Sequence, residues 1–140
     1  MFGGAAMLKE FLVNAVVDAP ASAAPLEAIG AALEAAGALF EERRELARHR
    51  QAIVDAHPEL QERELIKLAS LGSALAGALR QRGVGEPAAS LTAEAGIAVF
   101  KVAFERWINA TNRTEMPQII RESLEELKAV TAGGYRAHST

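Results

Sequence analysis

Histidines, serines, carboxylates and arginines are the side chains in this sequence equipped for chemistry, and their spacing assembles no reactive site. His49 and His57 stand eight positions apart, about 80° out of register on an ideal helix. Neither belongs to a Glu-x-x-His pair of the kind that holds metals inside a bundle. Ser70, Ser73 and Ser90 lack the glycine-flanked elbow that exposes a nucleophile. Zero cysteines exclude thiolate ligands, thiol nucleophiles and disulfides. No glycine-rich phosphate loop is present. The sequence therefore predicts no catalytic residue, no metal site and no cofactor.

The charged residues read as a solvated surface. Glu41 and Arg44, and Glu45 and Arg48, are spaced to pair along one helix. Arg43, Arg44, Arg48 and Arg50 form a basic cluster, but Glu41, Glu42 and Glu45 interleave it. The net charge of −3 argues against nucleic-acid binding by these 140 residues alone, because affinity for a polyanion comes largely from neutralising phosphates. No apolar run approaches the roughly 20 residues that cross a bilayer, and the first residues carry no signal-peptide pattern. A cytoplasmic chain without membrane contact is the expectation.

The elements that carry these residues are helices. Half of the sequence is hydrophobic and only 5% is aromatic, so its apolar content is mostly alanine and aliphatics, which favours helix over strand. Leu8, Phe11, Leu12, Ala15 and Val16 mark a first helix from Ala5 to Val17. Pro25 opens a second, with Leu26, Ile29, Leu33, Ala36 and Phe40 along one stripe and Gly30 and Gly37 two turns apart. The charged segment forms a third, anchored by Leu46, Ile53 and Val54 and ended by His57-Pro58. Pro58 opens a fourth, with Leu65, Leu68, Leu71, Leu75 and Leu79 down one side, stopped at Gly83-Val84-Gly85. A fifth starts at Pro87 and gathers Ile97, Phe100, Phe104, Trp107 and Ile108 on one face. Thr114 is the expected N-cap of a sixth carrying Met116, Ile120, Leu124 and Leu127. The prediction is an all-α bundle of about six helices, one domain over residues 1–132 with a flexible tail over 133–140.

The run from Arg43-Arg44-Glu45 to His57-Pro58-Glu59-Leu60, the turn Gly83-Val84-Gly85-Glu86-Pro87-Ala88-Ala89-Ser90-Leu91 and the segment Ala103-Phe104-Glu105-Arg106-Trp107 carry a resemblance. Over residues 8–130 the chain resembles the C-terminal domain of TetR-family transcription regulators. The resemblance implies a non-enzymatic domain that binds a small molecule and forms a homodimer. In such regulators a preceding helix-turn-helix domain reads DNA; no segment before Leu8 has room for it, so this chain by itself is expected to leave operator DNA untouched.

The resemblance also implies two sites. A dimer interface on the last two helices would use Phe100, Phe104, Trp107, Ile120, Leu124 and Leu127. A pocket for an apolar or amphipathic effector would lie among the first four helices, lined by Phe11, Leu12, Leu33, Phe40, Ile53, Leu71 and Leu75, with His49 or Arg50 as polar contacts. Gly30, Gly37, Gly72 and Gly77 withhold side-chain volume there, and so mark either a cavity or close helix crossings. The alternative reading is a helical module that binds another protein and has no small-molecule effector.

Overall fold

Prolines mark where four of the helices begin. The computed structural model describes residues 2–111 and 113–133. Among the described residues it holds six α-helices and no strand: α1 (Phe2–Val17), α2 (Pro25–Glu41), α3 (Arg44–Asp55), α4 (Pro58–Gln81), α5 (Ala88–Asn109) and α6 (Met116–Thr131). Pro25 and Pro58 are the first residues of α2 and α4, Pro117 is the second of α6, and Pro87 is the N-cap of α5. A missing N–H costs little at these positions, because the first-turn amides of a helix have no partner within it. Of the expected tail, residues 134–140 lie outside the described residues.

The end of α4 is as well specified as its start. Gly83 adopts φ +91°, the left-handed region that favours glycine. With it, the Val84 amide donates to the Leu79 carbonyl and the Gly83 amide to the Arg80 carbonyl. This pair of bonds is the Schellman motif, which satisfies carbonyls otherwise left bare at a helix end.

The helices pack around a core of mostly small and aliphatic side chains. α2 packs against α1, α5 and α6, while α4 packs against α1, α5 and α3. Leu12 and Val16 of α1, Ile29 and Leu33 of α2, Leu75 and Leu79 of α4, Trp107 of α5 and Met116 and Ile120 of α6 are all fully buried. Buried alanines (Ala28, Ala32 and Ala36 in α2, Ala89, Ala93 and Ala103 in α5) keep these interfaces thin. Phe40, Phe100, Phe104 and Trp107 form one ring cluster with successive centroids 5.7–6.2 Å apart, in tilted and edge-on geometries that each add about 0.5–1.5 kcal/mol.

Three local expectations are corrected. Leu46 and Ile53 do not anchor α3: both are exposed, and Val54 alone of its side chains is buried. The reason is that the inward face of α3 carries Arg44 and Arg48, whose guanidiniums reach carbonyls at the end of α5 and beyond. Leu65 is likewise exposed, since burial in α4 begins only at Leu71 and the earlier turns are flanked by α3. Thr114 does not cap α6. The N-cap is Glu115, without a side-chain bond, and the Met116 amide is satisfied instead by the carboxylate of Glu41.

The glycines turn out to be crossings. A Cβ on Gly30 would stand 2.5 Å from Leu124 Cδ2, and one on Gly37 would stand 2.8 Å from Ile120 Cδ1 and 3.3 Å from the Pro117 backbone nitrogen. α6 therefore lies against bare backbone of α2 at two points. Gly77 differs: the nearest atom to a Cβ there is Arg80 Nη2, at 3.7 Å. Gly37→Ala should destabilise the fold by about 1–3 kcal/mol through overpacking, because the fully buried Ile120 must shift and the Pro117 backbone must give way. Gly77→Ala, in mid-helix with room available, should stabilise it by about 0.5–1 kcal/mol. Urea unfolding of the two variants beside the parent measures both signs.

Candidate functional site

Five of the nine expected effector contacts are brought together, and they are brought together as core. Leu12, Leu33 and Leu75 are fully buried, Leu71 nearly so, and Phe40 is half-buried in the ring cluster. Phe11, His49 and Ile53 lie on the surface. Arg50 is engaged with Glu64 at 2.7 Å. The volume withheld by Gly30, Gly37 and Gly72 is taken up by Leu124, by Ile120 and by Glu94 with Ile97. Two shallow, open concavities of about 410 and 390 Å³ occur elsewhere, one on α6 along Arg121, Glu122, Glu125, Glu126 and Ala129, the other on α5 along Val102, Glu105, Arg106 and Asn109.

The six expected interface residues also face inward. Trp107 and Ile120 are 0% exposed within the single chain, Phe100 and Leu124 are buried, and Phe104 and Leu127 are half-buried against the core. Trp107, Ile120, Phe100 and Leu124 therefore have almost no area left to give a partner, and Phe104 and Leu127 only part of theirs. The opposite side of α5 is the one in the open. Leu91 is 66% exposed and Val102 52% exposed, and between them Ala95 is half-exposed and Ala98 exposed. These four residues fall at i, i+4, i+7 and i+11, the spacing of one helix face. Val130 of the adjacent α6 is exposed as well. The signal was present in the sequence as a second stripe of smaller residues, outweighed there by the rings.

Within the charged segment, Glu42, Arg43, Glu45 and His49 are exposed as a solvated face would be, but Glu41, Arg44 and Arg48 form the junction between four helices. Glu41 Oε1, at the last residue of α2, accepts from Trp107 Nε1 and from the Met116 amide, each at 2.8 Å. Arg44 donates to Glu41, to the Trp107 carbonyl at 3.2 Å and to the Thr114 carbonyl at 3.4 Å. Its guanidinium also lies 5.5 Å from the Trp107 ring centre, within reach of the ring's negative face. Arg48 donates to the Ala110 carbonyl at 2.8 Å. These arginines satisfy the C-terminal carbonyls of α5, where positive charge is favoured. Partners 62 to 75 residues apart gave the sequence no means of showing this.

A second tie holds α3 to α4. Arg50 grips both carboxylate oxygens of Glu64, and Lys67 reaches the same group at 3.1 Å. Partial burial alone would raise the Glu64 carboxyl, but hydrogen bonds and charge from Arg50 and Lys67 outweigh it and hold the group below its ordinary value. His57, at the turn between these helices, is exposed, with Nδ1 2.8 Å from the Ile53 carbonyl oxygen. Among the described residues no cluster of histidines and carboxylates is arranged to hold a metal ion, and no helix is long and apolar enough to cross a membrane.

Two measurements test these ties. Glu41→Ala leaves the Trp107 indole and the Met116 amide without acceptors, each costing about 1–3 kcal/mol. Urea unfolding followed by fluorescence of Trp107, the sole tryptophan, should show a stability loss of about 2 kcal/mol or more. The Arg50–Glu64 tie contributes its full stability above the ordinary carboxyl value of 4.5 and loses it as pH falls through the lower value of the folded state. Urea midpoints of the parent and Arg50→Gln should therefore differ near neutral pH and converge in acid.

The family model of the MftR C-terminal domain, a TetR C-terminal domain family, matches residues 23–132. No curated protein matches the chain. The matched stretch takes in α2 to α6 whole, and so includes the Glu41 junction, the glycine crossings and the exposed stripe of α5. The family is regulatory and non-enzymatic, and with most of its length matched this chain belongs to the TetR C-terminal domain family, in the branch of the MftR C-terminal domain.

Proposed function

We propose that this chain senses a small apolar or amphipathic molecule and pairs with a second copy of itself, and that in a complete TetR-type regulator these two properties govern operator binding. Family membership is the ground for the regulatory reading. The observation that carries the dimer is the exposed face of α5 from Leu91 through Ala95 and Ala98 to Val102, beside Val130 of α6. Small residues at its middle would let a second helix approach closely, with larger side chains at both ends giving apolar area. This outward face replaces Phe100, Phe104, Trp107, Ile120, Leu124 and Leu127 as the proposed contact, because four of the six are buried in one protomer and Phe104 and Leu127 are half-buried against its core.

Exposed apolar side chains also support an effector entry at the far end of the bundle. The last turn of α1 is tied to the end of α4 by Arg82, so the N-terminal halves of both helices extend toward the end that α3 flanks. Met7 and Phe11 of α1, Leu46 and Ile53 of α3, and Leu65 and Ile66 of α4 are all exposed. An effector entering there would reach Phe40, Leu71 and Leu33 only by displacing packed side chains, so binding must select a more open arrangement. The filled glycine crossings keep a second reading in play, in which the same apolar end docks another protein and no small molecule enters. DNA contact is assigned to neither reading, given the net charge of −3.

Sedimentation at micromolar concentration should give a dimer, and Val102→Glu should give a folded monomer with unchanged helicity. A folded parent that sediments as a monomer would remove the dimeric sensor. A thermal-shift screen of apolar and amphipathic metabolites should raise the melting temperature by mass action for a true effector, an increase that Ile53→Glu should reduce; a screen without any shift favours the protein-docking reading.

A further inference from the structure

Arg82 is the most heavily engaged cation of the molecule that meets no carboxylate among the described residues. Its Nη1 donates to the carbonyls of Val16 at 3.2 Å and Ala19 at 2.7 Å, and its Nη2 to those of Pro20 at 2.8 Å and Ala23 at 3.3 Å. The four acceptors run from the last turn of α1 to the residue before the N-cap of α2. One guanidinium thus gathers the whole α1–α2 corner. The fit is chemical as well as geometric. Val16 lies in the last turn of α1, where carbonyls carry partial negative charge; the other three acceptors belong to the turn between α1 and α2, and a planar fork of donors can serve several carbonyls at once. Arg82 is itself held still, as the C-cap of α4, by the Schellman bonds around Gly83.

We propose that Arg82 is a positioning residue that clamps the α1–α2 corner to the end of α4, so that these segments move as one body there and α1 can be displaced only at its N-terminal half. Burial along the inward face of α1 falls in the same direction: Val16 and Leu12 are fully buried, while Leu8, nearer the other end, is only half-buried. Any change transmitted along α4 to its last turn would therefore reach α1 through a rigid joint. The clamp stands on these contacts whether or not an effector exists.

Hydrogen exchange on the full chain tests it. The corner amides of Asp18, Ala19 and Ala23 donate to Asn14, Val16 and Pro20. In Arg82→Gln they should exchange about tenfold faster or more, as a local opening, while amides of α6 keep the parent rate. Arg82→Lys, with a point charge in place of the fork, should fall between. Gly83→Ala, which strains the turn that aims Arg82 without touching its guanidinium, should reproduce the effect. Arg106→Gln, removing an exposed tie between α5 and α6, should leave the corner unchanged. Unchanged corner exchange in Arg82→Gln overturns the clamp. Equal acceleration in α6 overturns it too, since that would mean general destabilisation.

Discussion

A single carboxylate at the end of α2 fixes how the second half of the chain meets the first. Glu41 accepts the indole N–H of Trp107 from α5 and the first amide of α6, and Arg44 sets its charge against that of Glu41 while covering the ring. Each of these groups would be costly to bury alone: an indole N–H without an acceptor, a helix-start amide without a cap, a carboxylate without a cation. Brought together they satisfy one another, and the large apolar body of Trp107 can then be fully buried. The loop between α5 and α6 follows from this junction, because both of its ends are tied to the same few atoms.

From that junction α6 runs along α2, and the glycines determine how close it comes. Leu124 and Ile120 rest on the bare backbone at Gly30 and Gly37, and Ile29 rests on Gly96 of α5 in the same manner. The rings of α5 point inward as a consequence. With α2, α4 and α6 already in contact with it, α5 uses its aromatic face for the protomer core, and its smaller, flatter face with Leu91, Ala95, Ala98 and Val102 is left outside. One face of α5 thus serves the protomer core, and the other is the face proposed for association.

α3 is attached by different physics. It contributes Val54 to the buried set and a half-buried Ala47 to the core edge, and is otherwise held by guanidiniums on carbonyls and by the Arg50–Glu64 pair. Charged ties of this kind are directional and weaken with a change of protonation or screening, whereas apolar burial does not. The bundle therefore has one end closed by the Arg82 clamp and another where a polar-bound helix stands beside uncovered apolar side chains. The proposed entry lies at the second end for that reason.

Helix number, the proline-marked helix starts and the family resemblance were legible in the sequence because their causes are local. Prolines at Pro25, Pro58 and Pro87, the stop at Gly83, and apolar residues at helical spacing act over a few neighbours, and each left its mark in order along the chain. What the sequence did not carry was the direction in which a charged or doubly apolar helix faces. Glu41, Arg44 and Arg48 have the composition of a solvated face, and only partners 62 to 75 residues away turn them inward. Leu46 and Ile53 have the composition of an anchor, and the arginines displace them to the surface. In α5 both faces are apolar, so periodicity alone offered two answers, and the fit of the larger rings against Phe40 selected between them. Periodicity is a property of one helix; facing is a property of the set of helices packed around it, and the tertiary structure alone decides it.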